Sequence, residues 1–316
     1  MTPLLPDSRY PYSGPAFARF VADSWSVCGN GDYRTFFRWM DDAAQVDWRT
    51  YLAEEKRRLK PLSGAERTDA ERALATTLHH RIKTLIPRFS LDRGFEFVNV
   101  VRYGERQCLL QSVLLSALFQ QVGIPAGVAM VWRSERGELS NNGHAVTVAA
   151  LAGGADLLVD CSDPTPFARH QGLFMANRRG GYRFVRPTYD GPRIVAYQAV
   201  DTAQRVRVTP LSTAFLSSQF YFYRGERTPK GPLEKKPTAE GMATAERFLQ
   251  EGVRRCPQNP LLVYYLGRVQ WRQDKRPAGR DHVEFAARLY ERYGWTPEGA
   301  RDALALVHSA EKGPRS

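Results

Sequence analysis

Cys108, His144 and Asp160 are the residues whose types, order and spacing could do chemistry together. A thiol attacks a carbonyl well only as thiolate, and an ordinary cysteine is mostly protonated at neutral pH. Two devices lower its pKa. One is a helix N-terminus, whose free amides and dipole favour an anion. The other is an adjacent imidazole that takes the proton. Cys108 is placed for the first, because Tyr103-Gly104-Glu105-Arg106-Gln107 reads as a loop. Leu110, Val113, Leu114, Ala117, Leu118 and Val122 then define an apolar helix that begins at or beside the cysteine. The same amides could hold an oxyanion, and Gln107 is a further candidate donor for it. His144 supplies the second device. It opens a strand in Asn142-Gly143-His144-Ala145-Val146, and Asp160 ends the next strand, Asp156 to Asp160. If the two strands are antiparallel neighbours, His and Asp share one end of a sheet. There the carboxylate can accept Nδ1–H and fix the imidazole tautomer. Asp163, followed by Pro164, is the rival third member.

The surrounding elements must position these groups. The first hundred residues read as helical: Ala16 to Val27, Tyr33 to Leu59, and a third helix from the capping-box pattern Ser63-Gly-Ala-Glu66 to about Ile86, before Pro87. The apolar helix Cys108 to Val122 stops at Gly123-Ile-Pro125. Strand-like runs follow at 127–133, 144–151, 156–161, 182–185 and 193–199. Asn141-Asn142-Gly143 and Gly153-Gly154 lie between runs as hairpin turns would. Residues 224–237 are rich in Gly, Pro and Lys and read as a linker. Helical periodicity returns at 239–255, 261–273, 280–292 and 296–308. The pattern is α+β.

Composition narrows the classes. The chain has 316 residues, 43% of them hydrophobic, enough for one large domain or two modest ones. No apolar run approaches the ~20 residues of a membrane span. The first nine residues lack a basic stretch followed by an apolar one, so no signal peptide is read. The four cysteines, Cys28, Cys108, Cys161 and Cys256, are scattered without Cys-x-x-Cys spacing. That argues against a disulfide framework or structural zinc, and for reduced thiols in a cytoplasmic setting. Net charge is 45 − 33 = +12. A generally Arg-rich surface accounts for it, and no zinc-finger or RNP pattern points to nucleic acid. His79-His80 reads as a solvated helix position, and His170, near Arg169 and Gln171, reads as a surface loop residue with the rim of the cleft as the alternative.

The segment Cys108-x14-Gly123-Ile124-Pro125-Ala126, then Gly143-His144-Ala145, then Leu158-Val159-Asp160 resembles the transglutaminase-like core of many bacterial proteins. The resemblance covers about residues 95–165. It implies a papain-type fold, helix plus antiparallel sheet, with Cys108 as nucleophile, His144 as general base and acid, and Asp160 as the orienting carboxylate. Two positions depart from the family: Val146 stands where an aromatic is usual, and Asp-Pro occurs at Asp163-Pro164 instead of at Asp160. Arylamine N-acetyltransferases use a similar triad, but they continue Val-Gly-Phe-Gly where this chain has Cys161-Ser162-Asp163-Pro164. At the other end, Cys256-Pro-Gln-Asn-Pro260 leading into Leu266-Gly267 resembles the junction between tetratricopeptide repeats, over about one and a half repeats.

The expectation is therefore a helical region at 1–94, a transglutaminase-like core at 95–223, a linker at 224–237 and a helical, tetratricopeptide-like region at 238–316. The expected function is thiol acyl chemistry on an amide of a protein or peptide, by hydrolysis or acyl transfer, with no cofactor and no metal. The alternative is a catalytically silent module that binds a protein partner through the core and the C-terminal helices.

Overall fold

The computed structural model describes residues 14–28 and 31–309. The expectation of no signal peptide concerns residues outside that range. The elements run α1 (Pro15–Cys28), α2 (Thr35–Ala44), α3 (Trp48–Leu59), α4 (Gly64–Leu85), β1 (Arg88–Phe89), α5 (Phe97–Tyr103), β2 (Glu105–Arg106) and α6 (Cys108–Gln121). Then come β3 (Ala126–Arg133), β4 (Leu139–Ala150), β5 (Asp156–Val159), β6 (Gly172–Asn177), β7 (Tyr182–Asp190), β8 (Arg193–Ala199) and β9 (Val208–Thr209). Five helices close the order: α7 (Thr213–Glu226), α8 (Ala239–Arg255), α9 (Pro260–Arg272), α10 (Arg276–Tyr293) and α11 (Glu298–Ser309). The class is α+β, with helices before and after an antiparallel sheet. The larger sheet has the order β3-β4-β5-β8-β7-β6-β9, with β3 also paired to β6. Among the described residues no helix is long and apolar enough to cross a membrane.

The chain divides into two compact units. One draws its described residues from Met1–Glu138, His144–Leu173 and Pro187–Tyr197, the other from Leu139–Gly143, Phe174–Arg186 and Gln198–Ser316. In the first unit, α6 is the central element. Residues 108–119 are all buried, as a helix apolar on every side must be. It packs on α1, α3, α4 and β3. Its buried polar positions fasten it to β4: Ser112 Oγ donates to Ala145 O at 3.1 Å, and Thr147 Oγ1 donates to Ser112 O at 3.1 Å. Phe17, Phe36, Phe37 and Phe97 form an edge-to-face cluster where α1, α2 and α5 meet.

Several local expectations are corrected. The stretch 33–59 is two helices, because Gln45 turns left-handed (φ 49°) and Asp47 accepts from the amides of Arg49 and Thr50 to start α3. The capping box does not form at Ser63, whose side chain makes no cap bond. Residues 103–107 are not a simple loop: Tyr103 ends α5, Gly104 turns left-handed (φ 62°), and Glu105–Arg106 pairs in parallel with Arg88–Phe89. Asn141–Gly143 is no hairpin turn. It lies inside β4, and the chain reverses at Ser134–Glu138, where Ser134 N–H donates to Glu138 O.

In the second unit, α7 packs against α8 and α9, α8 against α9, α9 against α10, and α10 against α11. Asn259 caps α9 with Pro260 at its first turn, and Gly267 leaves no room for a Cβ, which would sit 2.8 Å from Gly279 O. The linker expected at 224–237 is one only in part. Arg224–Glu226 are the last residues of α7 and are buried, Thr228 is buried as well, and exposure is continuous only over 233–236.

Candidate active site

The register of β4 and β5 sets the first juxtaposition. Thr147 pairs with Val159 and Val148 with Leu158. Carried one residue past β5, that register sets Asp160 opposite Val146, diagonal to His144 on the same face. The contact follows: His144 Nε2 lies 2.6 Å from Asp160 Oδ2. The ring nitrogen that meets the carboxylate is therefore Nε2, not the expected Nδ1. The side chain of Cys108 acts on the same ring and raises its proton affinity. The helix head, the strand and the strand end thus meet at one point.

Electrostatics follow from burial and partners. Burial opposes charging His144, but its hydrogen bond to the Asp160 carboxylate and its interaction with Cys108 outweigh it and raise the imidazole to about 10. Burial alone would raise the Asp160 carboxyl. Hydrogen bonds from His144 and His170, together with the His144 charge, instead hold it well below the usual carboxylate range. Asp160 is 3% exposed and Cys108 6%, while the His144 side chain keeps 28%. The neighbouring Cys161 is different in kind. Burial and the Asp160 charge push its thiol well above the ordinary value, so it is not a second nucleophile.

The rival Asp163 does not reach His144. Its Oδ1 accepts from Thr165 N–H and Thr165 O–H, both at 2.9 Å, which makes it a local turn former. Its backbone carbonyl accepts from Lys83 Nζ at 2.5 Å and contacts His79 Nε2 at 3.1 Å. His79 is therefore fully buried beneath the 160–163 turn, contrary to the solvated reading, whereas His80 is exposed. Gln107 is likewise not a solvated loop residue. It is 2% exposed and caps α6, its Oε1 accepting from Leu109 N–H at 3.2 Å.

Sequence reasoning preferred a surface loop for His170 over the rim of the cleft, and the structure buries it against the site. It is 7% exposed, and its Nε2 lies 2.9 Å from the same Asp160 Oδ2 that His144 touches. Flanked by Arg169 and Gln171, it looked like a surface position, and no spacing rule connects it to Asp160. Sequence reasoning missed a buried polar chain behind the carboxylate. Arg106 donates to Gln111 Oε1 at 2.8 Å and to the carbonyls of Ile86 and Pro87. Gln111 Nε2 approaches Ser162 Oγ at 3.4 Å, and Ser162 N–H donates to Asp160 Oδ1 at 2.8 Å. A signal for it existed: Gln111 is a long polar side chain in the first turns of a helix that is buried along most of its length.

His144, Asp160 and His170 also place one ligand atom each within 4.8 Å of one another, a donor set that borderline metals accept. The 2.6 and 2.9 Å N–O separations are hydrogen-bond lengths, and the His170 Nδ1 has no oxygen partner of the kind that orients a metal-bound imidazole. The residues fit a hydrogen-bonded relay better than a metal centre. Comparison with known proteins adds no assignment: no family model, curated protein or solved structure matches the chain.

Proposed function

We propose that the first unit carries a transglutaminase-like, papain-type core and performs thiol acyl chemistry on an amide of a protein or peptide. The observation that carries this reading is that His144 contacts the buried Asp160 carboxylate while Cys108, the first residue of a buried helix, acts on the same imidazole. The Cys108 thiolate attacks the amide carbonyl carbon, and first-turn amides of α6 receive the oxyanion. Gln107, as the cap of that helix, sits beside them in the chain. The C–N bond breaks as the His144 imidazolium gives its proton to the leaving amine, which leaves a thioester on Cys108. Neutral His144 then takes a proton from water or from an acceptor amine, which attacks the thioester and releases the thiolate. Asp160 stays ionised throughout and holds the imidazole in place.

The test requires no known substrate. Brief treatment with iodoacetamide at mildly acidic pH, followed by mass mapping, should label Cys108 faster than exposed Cys28, and His144→Ala should abolish the difference. Labelling of Cys108 at or below the rate of Cys28, unchanged in the variant, would reject the activated pair and leave a binding module as the better account.

A further inference from the structure

The carboxylate of Asp160 is surrounded by three donors, one more than a Cys-His-Asp relay needs. Ser162 N–H occupies Oδ1 at 2.8 Å, and two imidazoles share Oδ2, His144 at 2.6 Å and His170 at 2.9 Å. The two rings are tilted at 69° with centroids 5.6 Å apart, so each reaches the oxygen from its own direction. An ionised carboxylate only accepts, so Nε2 of both rings must carry a proton.

The other nitrogen of His170 is informative. Its Nδ1 is buried and has no hydrogen-bond partner among the described residues. A proton there would be a buried donor without an acceptor, at the desolvation cost of a charged group. His170 is thus the neutral Nε2–H tautomer, a donor that brings no net charge. Its backbone is fixed independently of Asp160. The Tyr189 hydroxyl donates to His170 O at 2.8 Å, and Gly172, two residues on, lies so close to Trp132 that a Cβ there would come within 2.3 Å of the indole. The other charged or titratable groups around this corner are His79, Lys83 and Asp163 at the 160–163 turn, Arg106 beside Cys161, and Glu135 and Arg169 near Tyr189. None of them contributes a hydrogen bond to the Asp160 carboxylate among those described.

We propose that His170 is a positioning residue of this site, a neutral imidazole that shares Oδ2 with His144 and so keeps Asp160 ionised and in one orientation against it. The role rests on the Cys-His-Asp reading, in which Asp160 must remain an anion while His144 gains and loses its proton. Without His170, Oδ2 has one donor, the carboxylate is free to turn, and its proton affinity rises because a hydrogen bond to the charged form is lost. The imidazolium–thiolate pair then fails first at the acid end.

Two measurements on the full chain test this. In the wild type, nitrogen-15 NMR of the His170 ring should show a protonated Nε2 and an unprotonated Nδ1 near neutral pH. A doubly protonated ring or the Nδ1–H tautomer would overturn the assignment, whatever the chemistry of Cys108. The second measurement is the pH profile of Cys108 alkylation from pH 4 to 8. His170→Leu should lose about tenfold at the acid end relative to wild type, as expected if the less firmly oriented carboxylate supports the imidazolium–thiolate pair by roughly one pKa unit less. It should stay close to wild type at pH 8, and His170→Gln, which keeps an N–H at the Nε2 position, should recover most of the loss. Superimposable profiles for wild type and a folded His170→Leu, or a His170→Gln as impaired as His170→Leu, would overturn the role. A wild-type Cys108 no faster than Cys28 would instead reject the triad reading on which that role stands.

Discussion

The chemistry at residue scale depends on which effect wins at His144. Burial, the largest single influence, favours the neutral ring, and only the interactions with Asp160 and Cys108 reverse it. His144 should therefore remain imidazolium to about pH 10, as its NMR titration would show. In Asp160→Asn the midpoint should fall, because burial is then opposed by Cys108 alone. A midpoint that does not move would refute the partnership. The linkage has a definite sign. His144, raised above its ordinary value near 6.5, contributes stability that is fully present below that value and is lost as pH rises through about 10. Asp160, depressed below 3.8, contributes stability that is present above that value and lost as pH falls through its lowered one. For activity, Asp160→Asn should cost roughly 10²–10⁴-fold, by analogy with other triads. Asp163→Asn should cost far less, since its carboxylate serves only Thr165. Rates of Cys108 acylation in the two variants would decide, and the reverse ranking would move the third role to Asp163.

At the scale of elements, the site exists because a helix and a strand pair are locked together by a few buried polar bonds. Ser112 and Thr147 tie α6 to β4. Glu71 on α4, paired with Arg67 at 2.6 Å, accepts from Ala152 N–H and so holds the turn between β4 and β5. The same logic governs the second unit at Asn259. There the side chain caps α9 and also donates to Ser218 Oγ at 2.9 Å and Gln219 Oε1 at 3.1 Å on α7. Asn259→Ala removes a cap and strands buried partners, and should destabilise that unit by about 2–3 kcal/mol in chemical denaturation. A loss under about 0.5 kcal/mol, the range of ordinary surface substitutions, would show that the cap is not needed.

For the whole molecule, the testable question is what a cut in 224–237 would release. A free linker would be cleaved anywhere along it and would give two separate fragments. The structure restricts the exposed bonds. Arg224 is buried, Arg227 is half-buried and bonded to Glu226, and Lys235 and Lys236 are exposed. Limited trypsin treatment should therefore cut after Lys235 first, since Pro237 protects the bond after Lys236 and the carbonyl of exposed Lys230 is held by Thr238 N–H. The C-terminal piece should still co-elute with the rest, because α8 and α9 pack on α7, on the other side of the cut. Early cleavage at Arg224, or fragments that separate without denaturant, would contradict this packing.

How much of this was legible beforehand differs by element. The apolar run from Leu109 to Val122 admits only a buried helix, so the position of Cys108 at its head follows from local pattern. The boundaries of α8 were readable for the same reason: periodicity and caps are local. The break at Gln45 was harder, since it depends on Asp47 competing for amides within an otherwise helical rhythm. His144 and Asp160 were readable because their strands are neighbours in the chain, although His144 lies inside β4 and does not open it. His170, Gln111 and Arg106 were not, because their partners lie in distant segments and nothing local distinguishes a buried histidine from a surface one. The sequence by itself determined the α+β class, the helix that presents Cys108 and the strands that carry its partners, since each follows from a short-range pattern of apolar and turn residues. Only the tertiary structure decided that Asp160 rather than Asp163 faces His144, that Nε2 makes the contact, and that a second histidine shares the oxygen. Those are matters of register and side-chain direction, which depend on segments far apart in the chain packing against one another.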